Sequence, residues 1–232
     1  MADASHIELD LPGARVRFTT RAGGVSTGPY ASLNLGLLTA DDPDAVAENR
    51  RRATPAGTEP AWARQVHGTR VLTVGRATDG EAPDADGVAT ATPGLAALVL
   101  TADCLPVALT TQGAVAMVHA GWRGLADGVL EEGIRALRAL DPDGALHAAI
   151  GPGAGGCCYE VGDEVAARFA ETPRRADRTI DLKAIAARRL REAGAVDVLD
   201  VARCTMCEPE TFFSHRASGG LTGRQGGLAW RA

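Results

Sequence analysis

Residues 101–124 read TADCLPVALTTQGAVAMVHAGWRG, and this stretch decides the fold. Two apolar runs, LPVALTT and AVAMVHA, flank Gln112-Gly113. The pattern predicts a β-hairpin, with Gln-Gly a weaker turn signal than Asn-Gly. A two-residue turn sets Thr111 against Ala114 and Cys104 against Gly121, which leaves His119 on the face that carries Cys104. Diagonal neighbours of this kind have Cβ atoms roughly 7 Å apart, so a thiolate and an imidazole can share one metal ion. A three-residue turn would reverse the parity. The alternative reading is a buried thiol and a hydrogen-bonded core histidine.

The residues after the hairpin favour chemistry. AGWRGL follows His119, and LADGVLEEGIRALRAL reads as one helix with Leu125, Val129, Ile134, Leu137 and Leu140 on one face. A strand that ends in a glycine-flanked Trp-Arg pair before a helix turns free backbone N–H groups toward an anion. Arg123 is the candidate to hold phosphate or carboxylate there.

Upstream, ARVRFTT (14–20) predicts the first strand, and RAGGVSTGPYASLNLG a long loop packed down by Tyr30, Leu33 and Leu35. DDPDAVAENRRR predicts a helix opened by an Asp cap and Pro43, followed by a surface connection through ATPAGTEP. WARQVHGTRVLTV reads as a strand pair or bent strand containing His67, EAPDADGVATATPG as loop, and LAALVL as a buried strand. Downstream, ALHAAI and VDVLDVA predict strands, GDEVAARFAE and IDLKAIAARRLREAG short helices, and GLAW the close of the last strand. The glycines of GPGAGGCCYEVG match neither a dinucleotide fingerprint nor a P-loop, and read as a close-approach loop near the site. With no repeat and no linker, the expectation is a single α+β domain spanning 1–232, not a Rossmann fold.

Net charge of -5 without a basic run argues against nucleic acid. No apolar stretch reaches the roughly 18 residues of a spanning helix, so no membrane partner is expected. The acidic start lacks a signal-peptide core, and five cysteines in 232 residues fit reduced thiols in the cytoplasm. A monomer is expected.

His67, Cys104 and His119 come from three segments, and two imidazoles with one thiolate suit Zn²⁺ or copper with a fourth position open. An open zinc site lowers the pKa of a bound water to about 7. Spacing leaves open whether His67 reaches the other two. Asp86 and Asp103 flank these ligands and could orient an imidazole. Arg21, Arg64, Arg216 and Arg224 stand in glycine-rich or motif-like segments suited to anion capture, with a solvated surface role as the alternative; Asn34 in the NLG stretch is a further substrate-binding candidate. Cys204-x-x-Cys207 lacks a second CxxC and reads as two reduced structural thiols, and Cys157-Cys158 as small buried residues. His6 and His147 are weak candidates, and His215 could touch a ligand.

Together, FTTRAGGVSTGPYASLNLG, RQVHGTRV, DADGVAT, TADCLPV, VHAGWRGL, CCYEVG, CTMC and FFSHR…GGLTGRQ resemble the laccase-domain family, whose members are also named polyphenol oxidases, purine nucleoside phosphorylases and peptidoglycan editing factors. The resemblance covers about residues 15–230 and implies His67, Cys104 and His119 as metal ligands. It implies mixed sheets flanked by helices in a fold like that of Cys-His toxin deamidases. It also implies phosphorolysis of adenosine, inosine and methylthioadenosine, plus adenosine deamination. In that reading Cys104, His119, Arg123 and Asp86 are catalytic, with Asp86 moving a proton. Three rivals are a Cys-His amide hydrolase acting on muropeptides through Cys104 and His119, a copper phenol oxidase, and a non-catalytic metal-binding protein. The chain departs from the family pattern at Leu38-Thr-Ala-Asp-Asp, at Ala217 and Ser218, and in a short connection before Trp62.

Overall fold

The hairpin is at the centre of the computed structural model, which describes residues 6–170, 172 and 178–232. Strand β7 (Leu105–Thr110) pairs antiparallel with β8 (Val115–Ala120), Leu105 opposite Ala120 and Thr110 opposite Val115. The turn holds two residues: Thr111 N–H donates to Ala114 O at 2.9 Å, and Gly113 N–H to Asp141 Oδ2 at 2.8 Å. The expected register is therefore present.

Around the hairpin lies a six-stranded mixed sheet that adds β5 (Gly87–Thr90), β4 (Val71–Thr73), β9 (His147–Ile150) and β10 (Asp197–Asp200). A five-stranded mixed sheet stacks on it, built from β1 (His6–Leu11), β2 (Ala14–Thr19), β11 (Gln225–Arg231), β6 (Leu95–Thr101) and β3 (Glu59–Ala61). Strand parity sorts the core into layers. Leu105, Val107, Leu109, Ala116 and Val118 face α2 (Trp122–Asp127), α3 (Val129–Leu140) and α5 (Leu182–Glu192). Ala108, Val115 and Met117 meet Phe18, Val99 and Ala229 of the other sheet. Each large apolar side chain so buried contributes about 1.5–3 kcal/mol. Helix α1 (Pro43–Ala53), capped by Asp42 with Pro43 at its first turn, covers the outer side with Leu33 and Leu35. α4 (Asp163–Ala167) is short, and residue 171 at the end of its predicted span lies outside the described residues.

The structure corrects several expectations. The N-terminal residues from His6 form β1, a strand joined to β2 through Pro12-Gly13. The helix after the hairpin is two helices, because Gly128 adopts φ 98 and breaks the ladder between α2 and α3. The apolar stripe crosses the break, and Leu125 and Val129 stay in one core. ATPAGTEP ends in the edge strand β3, and DADGVAT contains β5. His67 is in a turn at φ 60, not in a strand. Among the described residues no helix is long and apolar enough to cross a membrane.

Candidate metal and active site

Cys104, just before β7, and His119, in β8, fall on the face of the hairpin that looks toward the second sheet. His67 arrives from the turn between β3 and β4. Its Nε2 lies 3.9 Å from Cys104 Sγ, and its ring meets that of His119 edge-on at 4.9 Å. One donor atom from each of the three residues falls within 4.8 Å of the others. A tetrahedral zinc with bonds near 2.3 Å to sulfur and 2.0–2.1 Å to nitrogen separates such atoms by about 3.6 Å, so the donor set fits a single ion. Gly121 makes the close approach possible: a Cβ there would stand 3.0 Å from both Cys104 Sγ and His67 Cδ2.

Asp86, fully buried, organises this group. Its Oδ1 accepts from His119 Nδ1 at 2.8 Å and His67 N–H at 2.9 Å, and its Oδ2 accepts from the N–H groups of Gly68 at 2.6 Å and Val66 at 3.3 Å. The bond to His119 Nδ1 leaves Nε2 for a metal, the usual carboxylate–histidine arrangement. The expected proton-moving role of Asp86 does not fit: no solvent reaches it and both oxygens are occupied. It is a positioning residue. Asp103, by contrast, bonds to no imidazole among the described residues. At φ 94 it accepts from Thr205 Oγ1 and Arg216 N–H, each at 2.7 Å.

Burial opposes the Cys104 thiolate, but His119 and His67 beside it outweigh burial and bring the thiol down to about 6. Burial likewise opposes a charged His119, and Cys104 with Asp86 raises it to about 9. Asp86 is held below its ordinary value because the hydrogen bonds from His119 and the Gly68 and Val66 N–H groups overcome its burial. Both shifts run toward a thiolate beside an imidazolium.

The trio opens into a cleft of about 660 Å³, a size in the range of small-molecule sites. Trp62 and Tyr159 supply aromatic walls, and Leu37 and Leu38 an exposed apolar rim. Of the predicted arginines, Arg64, Arg216 and Arg224 line the cleft. Arg64 is already neutralised by a bidentate pair with Asp84 at 2.5 and 2.7 Å. Arg216 stacks on Tyr159 with 5.3 Å from guanidinium carbon to ring centroid, and Arg224 is half-buried. Arg123 is not a lining residue; its guanidinium stacks on Trp122. Arg21 packs on Phe213 and donates to Ala31 O. Asn34 has no capacity left for a substrate: its amide donates to Thr39 and Asp41, and its oxygen accepts from Gly36 and Arg224 N–H. Arg50, within the arginine run of α1, lines the cleft, stacks 4.4 Å from the Trp62 ring, and leaves its buried Nη2 without a partner among the described residues. His215 also lines the cleft, whereas His6 and His147 are in β1 and β9. Cys157 and Cys158, expected to be buried, are exposed and half-buried, and together with Cys204 and Cys207 they gather as one group of four that shares no residue with the trio.

Residues 15–232 match the family profile described as multi-copper polyphenol oxidoreductase laccase. The chain is 41% identical over 229 residues to an Escherichia coli protein named purine nucleoside phosphorylase YfiH, covering 91% of each. It is 42% identical over 230 residues to a Mycobacterium tuberculosis protein named purine nucleoside phosphorylase, covering 91% of this chain and 90% of that protein. Among solved structures, a Neisseria meningitidis protein superposes with TM-score 0.88 at 36% identity, covering 98% of this chain and 99% of the other. YlmD from Geobacillus stearothermophilus does so with TM-score 0.86 at 34% identity, covering 94% and 92%. With the profile matched from β2 to the last residue and the same fold in these relatives, the chain belongs to the multi-copper polyphenol oxidoreductase laccase family.

Proposed function

We propose that the protein is a metal-dependent purine nucleoside phosphorylase, with zinc held by His67, Cys104 and His119. The observation that carries this reading is the convergence of the trio on a cleft with aromatic walls and unneutralised arginines. The names of the relatives support it. In phosphorolysis a phosphate oxygen forms a bond to C1′ while the bond from C1′ to the purine nitrogen breaks, and the base leaves with that electron pair. Trp62 and Tyr159 offer flat faces for the base. Arg216 and Arg224, rather than Arg123, fix the phosphate and hold it in line, and Arg50 has an N–H free for an anion. The apolar rim at Leu37 and Leu38 suits a 5′-methylthio group, so methylthioadenosine joins adenosine and inosine as a proposed substrate. A metal at the trio supplies Lewis-acid polarisation. The same cleft is proposed to deaminate adenosine, with water adding its oxygen to C6 as the C6–N bond breaks and ammonia leaves, and His215 in the cleft wall is proposed to move a proton there. Inosine cleavage should require phosphate and yield ribose 1-phosphate; free ribose formed at the same rate without phosphate would make the protein a hydrolase.

A second reading has its own observation. Cys104, His119 and Asp86 also form a thiol–imidazole–carboxylate chain, the arrangement of a Cys-His hydrolase. Activity toward muropeptide amides that survives chelation would favour it.

A further inference from the structure

Outside the cleft, the loops that leave β9 and β10 run side by side because those strands are parallel neighbours. The first carries Cys157 and Cys158, the second Cys204 and Cys207, and a bridge between Gly153 and Cys204 ties them together. All four sulfurs lie within 4.8 Å of one another. Sγ separations are 3.6 Å for Cys157–Cys158, 3.5 Å for Cys157–Cys207, 3.4 Å for Cys158–Cys204 and 3.5 Å for Cys158–Cys207. A tetrahedron of sulfurs about 2.3 Å from a zinc ion has edges of about 3.8 Å. The thiols are free and no two stand at bonding distance, so no pairing into disulfides is singled out. Iron–sulfur clusters spread their cysteines over several irons, and sulfurs this close suit one ion.

The surroundings are those of a thiolate site. Gly155 N–H donates to Cys204 Sγ at 3.2 Å, and the Cys207 backbone N–H does the same, the pattern by which a C-x-x-C turn supports thiolates on a metal. A Cβ at Gly155 would stand 3.0 Å from Cys157 Sγ and 3.3 Å from Cys204 Sγ, so a side chain would crowd the sulfurs. Lys183 lies beside the same loop and donates to Arg203 O at 2.9 Å.

We propose that Cys157, Cys158, Cys204 and Cys207 form a second metal site, a tetrathiolate that holds one structural zinc ion. All four positions are filled by protein, so this is a closed site without a place for substrate, unlike the trio. Its work is to brace the cleft. Tyr159 follows Cys158 directly, and Thr205, between Cys204 and Cys207, holds Asp103 beside Cys104.

The test uses the full chain purified under reducing conditions without added metal. In a His67→Ala/His119→Ala variant, which lacks the trio, about one zinc per chain should remain. Its X-ray absorption should show sulfur alone in the first shell at about 2.3 Å. Cobalt in place of zinc should give the intense thiolate charge-transfer bands of a tetrahedral sulfur site. A Cys204→Ser/Cys207→Ser chain should lose about one zinc relative to the parent. A folded trio variant free of metal, a shell with nitrogen or oxygen, iron in place of zinc, or non-reducing mass spectrometry that finds these cysteines in disulfides would each overturn the proposal. An unchanged zinc content in the cysteine variant would do so as well. Loss of the trio metal alone would instead count against the proposed active site and leave the tetrathiolate standing.

Discussion

Replacing Asp86 with Asn separates an orienting carboxylate from a merely buried one. The side chain keeps its shape, but one oxygen becomes an NH₂ group. If that group takes the Oδ2 position, the N–H groups of Val66 and Gly68 lose their acceptor. If it takes the Oδ1 position, the His67 N–H loses its acceptor, and His119 can pair only by accepting at Nδ1. That second case moves the imidazole proton to Nε2, the atom needed for a metal. Each orphaned buried donor costs about 1–3 kcal/mol, so the metal-free chain should lose roughly 1–6 kcal/mol depending on orientation. Loss of the orienting partner should weaken zinc binding 10–100-fold, about 1.4–2.8 kcal/mol at about 1.4 per decade. Thermal melting of the stripped protein reads the first quantity, and competition with a chromophoric chelator the second. A folded Asn variant that binds zinc within about twofold of the parent would refute the reasoning, because the tautomer and the turn would then not depend on the charge.

Gly121→Ala should also weaken zinc binding, by about tenfold, since its methyl would press on Cys104 Sγ and His67 while its φ of -71 suits alanine. Unchanged affinity in chelator competition would mean that the trio relaxes freely. Arg216→Ala or Arg224→Ala should raise the KM for phosphate about tenfold or more, and Arg123→Ala should leave it near the parent value. The reverse ranking would return the anion to the helix end. Cys104 should resist iodoacetamide while zinc is bound and react quickly after chelation, and in protein that is chelated but not alkylated, activity should be lost and then restored by zinc. A covalent substrate adduct at Cys104 in stripped, fully active protein would replace the metal mechanism with the hydrolase one.

The parts of this molecule that were legible in sequence are those fixed by short-range rules. A two-residue turn and strand parity together put Cys104 and His119 on one face without knowledge of the rest of the chain. Asp42 and Pro43 announced α1 in the same local way. His67 was not legible by periodicity, because its position is set by a left-handed turn wrapped around the carboxylate of a residue 19 positions later. Only the resemblance placed it. Strands β3, β4 and β5 are three or four residues long, too short to show alternation. Arg50 was hidden by its neighbours: in a helix with Arg51 and Arg52 it reads as one more solvated charge, and only the packing of α1 over Trp62 turns it into the cleft. The grouping of the four cysteines was hidden because Cys158 and Cys204 are 46 residues apart and meet only through the parallel pairing of β9 and β10.

Two non-glycine residues with positive φ, His67 at 60 and Asp103 at 94, flank Cys104 in space and sequence. Such conformations cost about 1–3 kcal/mol each and persist only where surroundings over-determine them. Here each has its own clamp. The His67 turn is held by three N–H bonds to Asp86, and Asp103 by Thr205 and the Arg216 N–H. The first clamp is anchored in β5 and β8, the second through Thr205 in the loop that carries Cys204 and Cys207 and through Arg216 in the segment after Ser214. The His67–Cys104–His119 trio is thus assembled from two sides by separate structures that meet at Cys104. Loosening the cysteine loops should therefore disturb Cys104 and Arg216 while leaving the His67–Asp86–His119 arrangement intact. That asymmetry follows from the hydrogen bonds alone and does not depend on which reaction the cleft performs.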